Sequence, residues 1–404
     1  MTKVAVGDWP SATLEQICDI QLGKMLSPKS RIGLRPRPYL RNANVLWNRF
    51  DLSSMLEMDF AEEEKEKFGL RDGDVLVCEG GEPGRAAVWV NQIAPCFYQK
   101  ALLRLRPHDR VVDPYFMMFR LWLGATTGEF TSDHAKTTIA HLPEVRLRAL
   151  RIGVPSMAVQ KQIVRLLTDG MAQADRARAA AEEQISLASC LAQALISEQF
   201  ESAAVKGWPR RRLGSLAETC SGLTPNRGRP DYFGGQIPWV KTGELLDGTI
   251  FNTDEFVTEV AVRECGLRVL PPGTLLVAMY GQGKTRGRTG LLGCAATTNQ
   301  ACFAVLPNPV EFDSAFLQLW FRHKYQELRD LTEGRGGSQP NLNGEILRTL
   351  EVPLPALPEQ LRVVRDTEAG LGHVVTVRRV VKEQMDSIAA LPAALLRQAF
   401  RGEL

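Results

Sequence analysis

The two halves of this chain carry the same signals in the same order, displaced by about 200 residues, a period too long for a solenoid of small units. Leu14-Glu15-Gln16-Ile17-Cys18 opens the first series and Leu213-Gly214-Ser215-Leu216-Ala217 the second. Gly73-Asp74-Val75-Leu76-Val77 returns as Gly273-Thr274-Leu275-Leu276-Val277. Val154-Pro155 returns as Val352-Pro353, and Gln199-Phe200 is echoed by Ala399-Phe400. Spacings that drift by only a residue or two mean a duplicated domain together with a duplicated helix. Two similar modules on one chain usually engage two similar things.

The helices follow from composition along the chain. From residue 160 to 200 proline is absent and Gly170 is the lone glycine, while Ile163, Leu166, Gly170, Ala174, Ala177, Ala181, Ile185, Ala188 and Leu195 recur at threes and fours. About 40 residues at 1.5 Å rise extend roughly 60 Å, too long for the core of a compact domain, so the stripe needs another helix against it. A second such stretch runs from about 359 to 400, with Leu361, Val364, Leu371, Val374, Val377, Val381, Met385, Ile388 and Leu395 on one face. Gly370 and Gly372 weaken it early, and Pro392 predicts a kink or a break. Two similar helices separated by a folded domain pair most simply antiparallel. The expected architecture is α+β: two globular heads and an antiparallel helix pair with pseudo-two-fold symmetry, a dumbbell. The expected division is head 1–155, helix 156–206, head 207–353 and helix 354–404. The bland alternative is that each helix packs on its own head or caps another subunit.

Within the heads, residues 72–77, 86–90 and 101–105 read as strands in the first, and 236–241, 274–279 and 301–306 in the second. Residues 114–123 read as a core helix. Residues 281–293 are glycine-rich enough to predict an exposed loop.

Formal net charge is only +3, so any polyanion binding depends on where the charge clusters. Residues 206–241 hold Lys206, Arg210, Arg211, Arg212, Arg227, Arg229 and Lys241 against Glu218 and Asp231, whereas residues 59–66 are acidic. The eight cysteines contain no C-x-x-C pair and the histidines do not complete a zinc set, so reduced cytosolic thiols are expected and no metal. With no signal peptide and no apolar run of membrane length, the expected location is the cytoplasm, away from any membrane.

Gly283-Lys284-Thr285 ends like a phosphate-binding loop, but Ala278 stands where the first glycine of G-x-x-x-x-G-K-[ST] is required. Nucleotide hydrolysis is therefore not expected. With Lys284, Arg286 and Arg288, the loop suits a phosphate backbone, or is simply a solvated turn. Its counterpart, Glu79-Gly80-Gly81-Glu82-Pro83-Gly84-Arg85, is acidic with one arginine. Glu79 or Glu82 accepts from cytosine where Lys284 or Arg286 donates to guanine, so two DNA-reading heads would read unlike sequences. Lys24, Ser27 and Lys29 match Thr224, Asn226 and Arg227 in place, all turn residues and candidate phosphate contacts. Lys241 and Thr242 follow Trp239, a residue more often core than a stacking platform. Gln99-Lys100 and Asn299-Gln300 precede a strand in each head, where amides either grip adenine or satisfy a turn. No histidine, acid and nucleophile recur together, and no cofactor fingerprint appears. A duplicated enzyme would repeat its catalytic residues, so a binding scaffold is expected.

Taken together these residues resemble the DNA-specificity subunit of Type I restriction-modification enzymes. The resemblance covers essentially the whole chain. It rests on the head openings at 14–28 and 213–225, and on Ile237-Pro238-Trp239-Val240-Lys241-Thr242-Gly243. It continues through 273–277, Gly336-Gly337-Ser338-Gln339-Pro340-Asn341, Val352-Pro353-Leu354-Pro355, Pro358-Glu359-Gln360 and the ending Gln398-Ala399-Phe400-Arg401-Gly402-Glu403-Leu404. The first half departs from the pattern. It has Pro38-Tyr39-Leu40-Arg41-Asn42-Ala43-Asn44 in place of the Ile-Pro-Trp segment, and only Val154-Pro155-Ser156 before Gln160.

The resemblance implies target-recognition domains, each reading half of a split site in double-stranded DNA, with helices that set the gap and dock two methyltransferase subunits. Two restriction subunits complete the enzyme. S-adenosylmethionine, ATP and Mg2+ are used by those partners, and this chain holds no cofactor. Implied DNA contacts are Lys24, Ser27, Lys29, Arg41, Glu79, Arg85, Gln99 and Lys100 in the first head. In the second they are Thr224, Asn226, Arg227, Arg229, Lys241, Thr242, Gln282, Lys284, Arg286, Arg288, Asn299, Gln300, Ser338 and Gln339. The rival is a coiled-coil scaffold that bridges two identical protein partners without reading DNA. A fused enzyme is disfavoured by the family-like ending and by the lack of an Asn-Pro-Pro-aromatic element.

Overall fold

A computed structural model of the chain describes residues 9–31, 33–130, 141–202, 205, 207–281, 283–331 and 342–403. The chain divides into two compact units, Met1–Ala181 with Glu383–Leu404, and Glu182–Lys382. Each unit thus contains one head and one half of each long helix.

The first unit is built on a four-stranded antiparallel sheet in the order Cys18–Leu22, Leu102–Pro107, Val75–Cys78, Ala86–Val88. Strand alternation splits its side chains between two cores. Val75, Val77, Leu103 and Leu105 face the helix Pro114–Thr126, while Leu76, Cys78, Ala87 and Leu102 face Tyr39, Phe97, Tyr98 and Trp89. That second core is covered by a three-stranded sheet of Leu56–Asp59, Pro36–Leu40 and Phe97–Tyr98.

The second unit repeats the frame with a five-stranded sheet, in the order Thr219–Ser221, Cys302–Val305, Leu275–Ala278, Thr289–Leu292, Thr249–Ile250. Leu275, Val277, Phe303 and Val305 face the helix Ser314–His323, and Leu276, Ala278, Cys302 and Ala304 the other side. Thr289–Leu292 corrects the expected loop over 281–293. Gly290 lets this strand close on its neighbours, since a Cβ there would lie 2.7 Å from Ile250 Cδ1. Glycine thus marks close packing there, not exposure, and the loop ends at Arg288.

Some glycines of the repeat are dictated by contact. A Cβ on Gly23 would fall 2.3 Å from the Gln99 carbonyl oxygen, and one on Gly222 2.1 Å from that of Thr298. Gly73 and Gly273 turn the chain into equivalent strands at φ of 82° and 81°.

The long helices run over Met157–Glu201 and Leu357–Phe400, and the second continues unbroken through Pro392. A buried glutamine anchors each start. Gln160 Oε1 accepts from the Asp113 amide at 2.8 Å while its Nε2 donates to the Pro155 carbonyl at 2.8 Å. Gln360 does the same with Asp313 at 2.9 Å and Pro355 at 2.8 Å. Asp113 and Asp313 in turn cap the head helices, so one amide ties a long helix to the N-terminus of a core helix.

Within each unit the two helix halves run antiparallel. In the first, Phe400 packs 5.2 Å from Phe116 and 6.4 Å from Trp9, the tryptophan that also covers Gly153, just before the other helix begins. In the second, Phe200 lies 5.5 Å from Phe316, which Trp208 touches at 6.0 Å, while the Pro209 carbonyl accepts from the Leu354 amide just before the outgoing helix. The end of one helix therefore sits beside the start of the other in both units. Small residues bring the pairs close: Leu395 covers Gly170 in the first unit, and Leu195 covers Gly370 in the second. Among the described residues no helix is long and apolar enough to cross a membrane.

Candidate nucleic-acid interface

In the second head the strand Phe233–Val240 and the turn before it gather Arg227, Arg229 and Lys241. Glu255 accepts from Arg227 at 2.5 Å and 3.2 Å and from Lys241 at 2.7 Å. Those two donors, Arg227 foremost, hold its carboxyl down at about 2, well below the usual range. Arg227 also lies over the Phe233 and Trp239 rings, at 4.6 Å and 5.1 Å. Arg229 forks onto Asp231 at 2.7–2.8 Å, reaches Glu264 at 3.3 Å and covers Tyr232 at 4.4 Å. Planar guanidinium groups are set here by aromatic faces and carboxylates, with their outer edges in solvent.

The basic stretch read from the sequence is therefore largely offset in space. Glu255 and Glu264 come from outside the window that made 206–241 look cationic. Neither was marked by sequence reasoning, because Glu255 arrives by non-local strand pairing and Glu264 on the helix Glu259–Cys265. Trp239 is buried, as the core reading expected, and donates its indole N–H to Leu223.

The loop before Thr289 has a different setting. Tyr325 Oη donates to the Lys284 carbonyl at 2.7 Å, and Arg329 to that of Arg286 at 3.4 Å. Arg286 is only 7% exposed, so the loop presents Lys284 and Arg288 outward and turns its middle cation in. Lys284 and Arg288 open onto a cleft of about 610 Å3 that also receives Arg322, Arg329 and Arg378. These three arginines were missed from sequence, although Arg322, Tyr325 and Arg329 stand at the i, i+3, i+7 spacing of one helical face.

The remaining residues marked in this head serve its turns. Thr224 is hydrogen-bonded to Gln300, and Asn226 Oδ1 accepts from the Gly228 amide at 2.9 Å. Thr242 opens a 3-10 turn closed by Glu244, and the Asn299 amide donates to Val240 at 3.0 Å.

In the first head the marked residues are held more tightly. Lys24 Nζ donates to Glu64 at 2.5 Å and to the Asp59 carbonyl at 2.8 Å, lying 4.9 Å from the Phe60 ring. Ser27 closes a turn with Ser30, and Arg41 donates to the Ser54 carbonyl at 2.8 Å. Arg85 bridges Glu82 and the Asn42 carbonyl at 3.1 Å each, so the acidic loop is braced against the 42–44 turn. Glu79 faces His141 at 3.5 Å. Gln99 and Lys100 bond through their backbone amides to Leu40 and Lys24. Gln282, Ser338, Gln339 and the Lys29 side chain lie outside the described residues.

Residues 205–365 match the family described as the Type I restriction modification DNA specificity domain. The chain is 31% identical over 167 residues to the Type I restriction enzyme MjaIX specificity subunit of Methanocaldococcus jannaschii, covering 39% of this chain and 36% of that relative. Similarity to the EcoR124I/EcoR124II specificity subunit of Escherichia coli, at 22% identity, spans 60% of each chain. The StySPI specificity subunit of Salmonella potsdam is 23% identical over 91% of this chain and 82% of its own length. In fold, the chain resembles a structure described as showing complex assembly and conformational transition of the type I R-M system, with a TM-score of 0.74 at 16% identity over 98% of this chain and 99% of that one. It also resembles the HsdS subunit of Thermoanaerobacter tengcongensis, with a TM-score of 0.60 at 17% identity over 99% and 98%. Residues 205–365 thus match the Type I restriction modification DNA specificity domain, and over its length the duplicated head-and-helix frame is similar to that of Type I specificity subunits.

Proposed function

We propose that this chain is the non-catalytic, sequence-reading subunit of a Type I restriction-modification enzyme. Each head contacts one half of a split duplex target, while the long helices set the unread gap and dock two methyltransferase subunits. Two restriction subunits join the larger assembly. S-adenosylmethionine, ATP and Mg2+ belong to those partners, which work in the cytoplasm and flip the target adenine from the duplex. Two heads on one chain add their binding energies through effective concentration, and each correct base contact contributes about 1–3 kcal/mol of discrimination.

The observation that carries this reading is one frame bearing two unlike loops. Gln160 and Gln360, Asp113 and Asp313, and Gly73 and Gly273 repeat in kind and geometry. The loop after the equivalent strand is Glu79–Arg85 in one head and a cationic turn with Lys284 and Arg288 in the other. A scaffold bridging two identical partners would be expected to repeat its contact surface as well, so it is not favoured. Exposed Arg227 and Arg229 and half-buried Lys241 are proposed as backbone contacts, held in place by their carboxylates until phosphates compete for them.

The test is to assemble the chain with its methyltransferase partners and sequence the methylated adenines in treated DNA. Exchanging residues 207–353 for the head of another specificity subunit should change one half-site only. Methylation at scattered sites, or changes in both half-sites, would overturn the reading.

A further inference from the structure

The cleft beside the second head poses a question that the turn residues do not. It is lined by Lys284, Arg288, Arg322, Arg329 and Arg378, with Asp247 as the one acid among its lining residues. Asp247 is already engaged, accepting from the Thr289 amide and hydroxyl at 3.0 Å each. Arg329 braces the loop through the Arg286 carbonyl. Among the described residues, the side chains of Lys284, Arg288, Arg322 and Arg378 make no hydrogen bond or ion pair. Arg322 comes from the head helix and is half-buried, and burial pulls its pKa below the ordinary arginine value. Arg378 comes from the long helix and is exposed. Keeping five cations around one cleft with a single carboxylate costs free energy through mutual repulsion and desolvation.

The fold does not require that cost. Head helices in the two units are equivalent from their caps, Asp113 and Asp313, through Phe116 and Phe316. The residue equivalent to Arg322 is Trp122, which stacks on Trp47 at 5.0 Å and 6°. Trp47 then donates its indole N–H to Glu82, in the loop equivalent to that of Lys284, at 2.6 Å. One unit fills this place with a stacked aromatic pair and a carboxylate, and the other leaves it open and lined by cations.

We propose that the cleft of the second unit holds backbone phosphates of the bound duplex, with Arg322 from the head and Arg378 from the long helix gripping the same stretch of strand. This deepens the proposed DNA-reading function and rests on it. The chemistry favours nucleic acid. Guanidinium groups match phosphate bidentately, and the cleft adjoins the Lys284 loop, which the sequence marked as suited to a phosphate backbone. Phosphate contacts position without specifying, so the two heads hold their half-sites unequally: the second through a phosphate clamp, the first without one.

The test uses the full chain assembled with its methyltransferase partners, titrated with a labelled duplex containing its methylation site and with a scrambled duplex, over a series of KCl concentrations. The variants are Arg322→Trp, which installs the residue of the other unit, Arg378→Gln on the exposed helix surface, and their combination. Arg365→Gln, an exposed position on the same helix, is the reference for simple loss of charge. Losing both contacts should lower the slope of log affinity against log salt by about 2 and weaken both duplexes alike, leaving the methylated sequence unchanged. A double variant with the slope of Arg365→Gln would overturn the clamp while leaving the DNA-reading function standing. Normal DNA binding with loss of the methyltransferase on co-purification would assign the cleft to an acidic protein segment and also overturn it. Failure of the unsubstituted assembly to bind either duplex would overturn the function itself.

Discussion

Gln160 and Gln360 are fully buried polar side chains in a chain whose long helices are otherwise covered with charge. Each satisfies a donor and an acceptor that would be stranded between head and helix, and leaving a buried group unpaired costs about 1–3 kcal/mol. Gln160→Ala and Gln360→Ala should each destabilise their own unit by about 2–4 kcal/mol, because an amide hydrogen and a carbonyl lose their partner together. Urea unfolding followed by circular dichroism measures this, and unchanged midpoints would mean that water replaces the amide. The sequence marked both positions only as matching letters, Gln160 to Gln360. Their role became visible once the fold brought Asp113 and Asp313, each 47 residues away, against them.

At the scale of the element, the long helices carry glycines of two kinds. Gly170 and Gly370 lie under leucines of the opposing helix, with a Cβ on Gly170 only 2.9 Å from Leu395 Cδ1 and one on Gly370 3.1 Å from Leu195 Cδ1. Gly372 is exposed and has nothing within 4 Å of an added Cβ. Gly372→Ala should therefore stabilise the chain by about 0.5–1 kcal/mol through helix propensity alone, whereas Gly170→Ile should force the seam open and destabilise it. Thermal unfolding of the two variants checks this, and shifts of the same sign would contradict the assignment. Sequence periodicity located the helices to within a few residues because a 3.6-residue repeat is a local property. It did not locate Thr289–Leu292 as a strand, since glycine enrichment looks the same whether it serves a loop or a tight sheet contact.

For the whole molecule, the proposed ruler makes a separate prediction. Inserting one heptad into both long helices, at matched positions, adds roughly 10 Å. The preferred gap between methylated half-sites should lengthen while the half-sites themselves stay the same, and sequencing the methylated adenines reads both. An unchanged gap would sink the ruler. By itself the sequence determined the duplication, the two heads, the two long helices and the family resemblance, because repeats, helical periodicity and turn glycines are written between near neighbours. Tertiary structure alone decided which charges remain available. Arg227 and Lys241 find Glu255 at separations of 28 and 14 residues, so a stretch that counts as basic is largely offset in space. Arg322 and Arg378, unremarkable in the sequence, meet across one cleft. Electrostatics depends on distance through space, and a chain settles those distances only when its strands pair and its helices pack.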